Sequence, residues 1–167
     1  MSSFKHNSET ITLKFNYRIA KLELPPLGLR LLNIIEGENI NDLIQNVILN
    51  DEKLLNLLYC FVRNNQGVAF TKALDELEEV EAAIESSQEI PSRYETFIDN
   101  VTDLEPFREA LWEAIENFTP AQMRPLLRTA RTEIVKALEA APETLKEQSS
   151  ASLPEAASTP TPTPSEN

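Results

Sequence analysis

Two groups of side chains in this 167-residue sequence have types suited to chemistry: a cysteine with a histidine, and a run of carboxylates. Cys60 lies inside the apolar run LLNLLYCFV, whereas the one histidine, His6, lies in a polar N-terminal segment. A nucleophilic cysteine needs a base within hydrogen-bond reach and an environment that lowers its pKa. An apolar run provides neither, so we interpret Cys60 as a small core residue. A single cysteine also forms no internal disulfide.

The carboxylates are concentrated in one short stretch. The run consists of Asp75, Glu76, Glu78, Glu79, Glu81 and Glu85. A calcium site needs carboxylates that converge at the spacing of a binding loop, and these are spread around a predicted helix. We therefore favour a solvated helix face, with a surface for a basic partner as the alternative. The sequence has no glycine-rich phosphate loop, CxxC, HExxH or GxSxG pattern, so we expect neither an enzyme nor a cofactor.

The net charge of −12 limits the classes of partner. Nucleic acids and anionic membranes are bound by basic surfaces, which this sequence does not offer. No apolar run approaches the roughly 20 residues that span a bilayer, and the N-terminus lacks the apolar region of a signal peptide. We therefore expect a cytoplasmic protein that binds neither nucleic acid nor membrane.

The N-terminal segment alternates apolar and polar residues, which predicts a strand over residues 10–16. Residues 17–24 stay open, because Asn16 can alternatively cap a short helix there. Pro25 and Pro26 end either element. Because no second strand is evident, the strand pairs with the N-terminal arm or with another copy, or the strand prediction is wrong. Pairing with another copy would make a homo-oligomer.

The middle of the chain has helical periodicity. A helix is predicted from about Asn39, and Asn50 or Asp51 caps the next helix. That second helix is apolar over more than half its circumference, which places it at the centre of the core. A turn at residues 64–67 leads to a further helix that starts near Thr71.

Two amphipathic helices are predicted over residues 103–138. Thr102 or Asp103 caps the first, and Thr119-Pro120-Ala121-Gln122 has the pattern of a helix start for the second. The second helix contains Pro125 early on, which kinks it or delays its start. Its apolar stripe consists of Met123, Leu127, Ala130, Ile134 and Leu138, and it is flanked by Arg124, Arg128 and Arg131. This stripe is either buried against a neighbouring helix or exposed as a docking face for a partner helix.

The sequence therefore predicts a mainly α protein, with a compact helical domain, one short N-terminal β element and a disordered C-terminal tail. The tail is rich in Pro, Thr, Ser and Glu and has too few apolar residues to fold. We divide the chain into a flexible arm (1–9), an N-terminal helical domain with a short strand (10–88), a packed linker (89–102), a C-terminal helical pair (103–141) and the disordered tail (142–167).

The order of four segments resembles the tail assembly chaperones of long-tailed bacteriophages. The segments are FNYR at 15–18, GLRLLNIIEG at 28–37, NDEKLLNLLYCFVRNNQGVAFTKALDEL at 50–77 and FREALWEAIENFTPAQMRPLLRTA at 107–130. Together they cover roughly residues 11–138. The interruption at Pro25 and Pro26 departs from the continuous helix that the family pattern leads us to expect.

The resemblance implies an assembly factor of the host cell cytoplasm. It would bind and solubilise helices of the tape-measure protein, and would help tail-tube protein to gather around them. We expect the contact to use Trp112, Phe118, Leu127 and Ile134. Replacing Trp112 and Leu127 with Glu is then expected to abolish capture and leave the fold intact. The alternatives are a small phage structural or connector subunit, or a helical regulatory adaptor.

Overall fold

The computed structural model describes residues 2–32, 40–45 and 49–140. Over these residues the chain is mainly helical, with a short two-stranded sheet at its N-terminus. The predicted fold class is thereby confirmed. The predicted tail at 142–167 lies outside the described residues, as do residues 33–37 of the segment GLRLLNIIEG.

A β-hairpin opens the chain. Strand β1 (Ser2–His6) pairs antiparallel with strand β2 (Glu9–Leu13), and Phe4 lies opposite Ile11. The connecting residues Asn7 and Ser8 both have positive φ, as a tight two-residue hairpin turn requires. Of the three alternatives for the predicted strand, the structure shows pairing with the N-terminal arm.

The strand ends earlier than its sequence pattern indicates. The alternation buries Ile11 and Leu13, but Tyr17 is exposed. The Asn16 side chain accepts a hydrogen bond from the Ile19 amide at 2.9 Å, and a π-helical turn follows over Ile19–Glu23. Asn16 therefore caps a helical turn, which was the alternative to an extended chain. A 3₁₀ turn over Pro25–Leu27 comes next, and Gly28 ends it with φ of 81°.

Six helices are described after the 3₁₀ turn, within the ranges given above. They are α1 (Ile40–Leu43), α2 (Asp51–Asn65), α3 (Phe70–Glu85), α4 (Ser92–Asp99), α5 (Glu105–Phe118) and α6 (Arg124–Ala140). The predicted cap of α2 is confirmed, since the Asn50 side chain accepts a hydrogen bond from the Lys53 amide at 3.1 Å. Gly67, with φ of 86°, makes the predicted turn between α2 and α3.

Two predicted features differ in the structure. Residues 89–102, predicted as a linker, contain the eight-residue helix α4. The predicted helix start at Thr119 is wrong, because its hydroxyl donates to the Ile115 carbonyl in the preceding helix at 2.8 Å. Helix α6 begins only at Arg124, with Pro125 in its first turn, where a missing amide is tolerated.

Helix α2 lies at the centre of the core, as predicted. It contacts β2 and α3, while α5 packs against β1. Aromatic rings join these elements: the Phe61 ring lies 5.0 Å from Phe70 and 6.1 Å from Phe107, and Phe107 lies 5.2 Å from Phe4. The hairpin and three helices therefore share one apolar cluster.

The chain divides into two units, residues 1–131 and residues 132–167. The first unit contains the hairpin and helices α1 to α5, together with the start of α6. The second unit is described only over 132–140, the end of α6. The domain boundaries predicted near residues 88 and 102 both fall inside the first unit.

The hairpin is expected to be essential for stability, because the Phe4 ring fills the space over Phe107. Phe4→Ala should lower the free energy of unfolding by about 3–5 kcal/mol. The exposed neighbour Lys5 provides the control, and Lys5→Ala should change it by less than about 0.5 kcal/mol. Urea denaturation followed by circular dichroism measures both. Equal stability of the two variants would show that the hairpin is dispensable.

Candidate binding surfaces

The residues predicted to contact a partner lie in different environments. Trp112 and Leu127 are buried, while Phe118 and Ile134 are partly exposed. The Trp112 indole donates to Glu116 at 3.2 Å, and the Arg131 guanidinium lies 5.1 Å from the ring centroid in a cation–π contact. In the folded chain, Trp112 and Leu127 are therefore not accessible to a partner.

Charged contacts hold the start of α6 against α5. Arg128 pairs with Glu116 at 3.1 Å, and Arg131 pairs with Glu109. The Arg124 side chain donates to the Thr119 carbonyl at 3.0 Å. Arg128 and Arg131, two of the arginines that flank the predicted stripe, thus use carboxylates of α5. Such partly exposed pairs contribute up to about 1 kcal/mol each, so apolar burial remains the main source of this packing.

The later part of α6 presents apolar side chains to solvent. Within the described helix α6, only Leu127 is buried. Val135 is 41 % exposed and Leu138 is 44 % exposed. Ile134 and Leu138 are four residues apart and so lie on the same helix face. We call Ile134, Val135 and Leu138 the α6 row. Ile134 and Leu138 belong to the predicted docking face, and Val135 lies beside it.

A buried polar network joins α2, α3 and α4. The Glu76 carboxylate accepts hydrogen bonds from the Tyr59 hydroxyl at 2.7 Å and from Arg63 at 2.9 and 3.0 Å. Arg93 adds an ion pair at 3.3 Å. Glu76 therefore departs from the predicted solvated face, and no local pattern distinguishes it from the exposed carboxylates around it.

The network changes the titration of its members. Hydrogen bonds from Arg63 hold the pKa of Glu76 below its usual value of 4.5. Burial, followed by the hydrogen bond to Glu76, raises the pKa of Tyr59. The donors of Tyr59, Arg63 and Arg93 all reach the Glu76 carboxylate, so the network links the three helices and has a structural role. We call this network the polar pin. The Arg93 end of the pin is about half exposed.

A cleft of about 370 Å³ opens beside this network, between the hairpin turn and α4. His6 lines it, and burial lowers the pKa of this imidazole, while Glu9 acts in the opposite direction.

Cys60 is completely buried, and burial raises the pKa of its thiol to about 12. At neutral pH the thiol is therefore protonated, which fits the prediction that it is a core residue.

A second concave surface, which we call the acidic groove, has a volume of about 650 Å³. Its apolar lining includes Leu22, Pro25, Pro26 and Leu74. Its charged lining consists of the carboxylates Glu52, Asp75, Glu78 and Glu81 with the cations Arg30 and Lys53. The spacing of three residues between Asp75, Glu78 and Glu81 was visible in the sequence and places them on neighbouring positions of one helix face.

Comparisons of this chain with protein-family models, with curated proteins and with solved structures find no match. Within the described ranges, no group of three or more potential ligands is arranged to hold a metal ion. The helices described here include none whose length and apolar character suit a membrane crossing. The exposed surfaces of the described residues are therefore the features that bear on function.

Loss of the Glu76 charge should destabilise the fold. Glu76→Gln is expected to lower the free energy of unfolding at pH 7 by about 2–4 kcal/mol, because Arg63 and Arg93 lose their buried counter-ion. The pKa of Glu76 is lowered on folding, so this stabilisation is complete above pH 4.5 and is lost as the pH falls through the folded value.

Urea denaturation of the wild type and Glu76→Gln between pH 7 and pH 3 tests this prediction. The difference between them should shrink below pH 4.5. Glu79→Gln, at an exposed position of the same helix, is the control and should stay close to the wild type. A difference that is absent at pH 7, or constant with pH, would contradict the account.

Burial also changes the expected result of the Trp112 and Leu127 substitutions. A charge placed at Leu127, which is 0 % exposed, has no partner, so Leu127→Glu should cost more than about 3 kcal/mol. Leu126 is the adjacent control at 55 % exposure, and Leu126→Glu should stay within about 0.5 kcal/mol of the wild type. Trp112→Glu should behave like Leu127→Glu. Thermal unfolding followed by circular dichroism distinguishes the two buried-site variants from Leu126→Glu. Wild-type stability of Leu127→Glu would contradict this prediction.

Proposed function

We propose that this chain is a tail assembly chaperone of a long-tailed bacteriophage. It binds helices of the tape-measure protein in the host cytoplasm and keeps them soluble until the tail tube assembles around them. The sequence resemblance supports this proposal, and the exposed α6 row is the structural observation that carries it. An alternative role as a structural subunit or adaptor would use the same row for a different partner.

The α6 row suits the capture of an amphipathic helix. A partner helix can lay its apolar face along a helical row of this kind, using positions four residues apart. The chain's charge of −12 keeps the protein soluble while it exposes apolar residues. An exposed apolar row on an otherwise highly charged protein is the combination that a soluble helper for poorly soluble helices needs.

The strength of this contact is limited. Val135 and Leu138 are already more than half covered, so complete burial would add about 1 kcal/mol for each. Micromolar binding needs about 8 kcal/mol. The row alone therefore gives weak, reversible capture, which suits a factor that leaves the assembled tail. Stronger binding requires a second surface.

Co-expression with the tape-measure protein of the same genome tests the proposal. The tape-measure protein should become soluble and co-purify with this chain. Leu138→Glu should abolish capture, because it places a charge in the row, and it should stay folded because Leu138 is exposed. Lys136→Ala changes the net charge by the same amount outside the row and should leave capture intact.

Two results would contradict the proposal. The first is a tape-measure protein that stays insoluble and forms no complex. The second is the stable presence of this chain in purified virions, detected by mass spectrometry, which would instead indicate a structural subunit. Equal capture by Leu138→Glu and by the wild type would show that the α6 row is not the contact.

A further inference from the structure

The acidic groove is a second concave surface that no contact described above explains. Four elements form it: the π-helical turn Ile19–Glu23, the 3₁₀ turn Pro25–Leu27, the start of α2, and α3. Leu22 lines it and is 62 % exposed. Pro25 and Pro26 fix φ in the 3₁₀ turn that also lines the groove.

The charge of the groove selects among possible occupants. Its four carboxylates outnumber its two cations, and Asp75, Glu78 and Glu81 lie along one side of α3. Nucleic acids and anionic lipids would be repelled by this lining. A segment with an apolar face beside a Lys/Arg flank would match both the apolar and the acidic lining.

The lining is unsuited to a small polar ligand. Small-molecule sites bring together a few fixed, buried polar groups. The buried polar residues of the described chain are Ser2, Glu76 and Thr119, and none of these lines the groove. The charged groups of the groove lie instead on its exposed rim, which is typical of a surface for a macromolecule.

We propose that the acidic groove binds a basic, amphipathic helical segment of a partner protein. The helical character of that segment rests on the proposed function, whereas its positive flank follows from the lining of the groove. The groove lies in the first unit of the chain. Because its contacts are electrostatic at the rim, binding weakens as salt concentration rises.

The test uses the full chain and a fluorescein-labelled 18-residue amphipathic peptide of Leu and Lys, with a Leu/Glu peptide of the same pattern as control. Fluorescence anisotropy should detect binding of the Leu/Lys peptide at 50 mM NaCl, at least tenfold weaker binding at 300 mM, and no binding of the Leu/Glu peptide. Absence of Leu/Lys binding at 50 mM NaCl would overturn the proposal.

Two matched pairs of variants locate the site. Peptide binding should weaken at least tenfold in the groove variant Asp75→Asn/Glu78→Gln/Glu81→Gln. It should weaken less than twofold in the control variant Glu85→Gln/Glu89→Gln/Glu95→Gln, which has the same net charge. Leu22→Ser should weaken binding more than Ile84→Ser, because Ile84 is similarly exposed at 58 % but lies outside the groove. Equal effects within each pair would mean non-specific attraction to an acidic protein.

Two further outcomes separate this inference from the proposed function. If the chain captures the tape-measure protein but the groove variants behave like the wild type in both assays, the groove inference fails and the proposed function stands. If the groove variants lose the peptide but no tape-measure complex forms, the proposed function fails and the groove stands. A change of oligomeric state in the Asp75/Glu78/Glu81 variant, measured by sedimentation, would identify a second copy as the occupant and overturn the inference.

Discussion

Seven of the 15 residues of α2 are buried. One is Leu54, and the other six are consecutive, from Leu57 to Val62. Six consecutive residues cover every side of a helix, so α2 needs neighbours around its whole circumference near its C-terminal half. Strand β2, helix α3 and the aromatic residues of α4 supply them. Tyr59 and Arg63 of α2 donate hydrogen bonds to Glu76 of α3. Helix α2 therefore contributes both to the apolar core and to the polar pin. Helix α5 joins the same core through Phe107, whose ring lies 6.1 Å from Phe61.

Local signals were enough to predict the described helices other than α4, and several of their ends. Asn50 and Gly67 have a local physical role, capping and turn formation, and both were predicted correctly. Strand β1 was predicted only as one of three alternatives, because its sequence, SSFKH, is short and polar, and only pairing with β2 makes it a strand. Thr119 was misassigned because a hydroxyl can bond forwards as a cap or backwards to the preceding helix, and the surrounding structure decides between the two.

The candidate surfaces show a similar limit of sequence reasoning. Periodicity correctly places Leu127, Ile134 and Leu138 on one stripe, but it does not reveal where along that stripe burial ends. The structure buries Leu127 and leaves Leu138 exposed, so the accessible part of the predicted face lies at the end of α6. The acidic groove joins Leu22 to Asp75 across more than 50 residues of sequence, and no local pattern reports such a contact. Burial of Glu76 within an acidic run is likewise a tertiary effect.

We propose that exposed apolar side chains of the folded chain capture a partner helix. Hydroxyl-radical footprinting tests this most directly when it compares the chain alone with the chain bound to the tape-measure protein of the same genome. The method measures the solvent accessibility of individual side chains. We expect Val135 and Leu138 to become protected in the complex, while the exposed side chain of Ile84 keeps its reactivity. Unchanged reactivity of Val135 and Leu138 in a complex that forms, or new reactivity of buried Leu127, would contradict it.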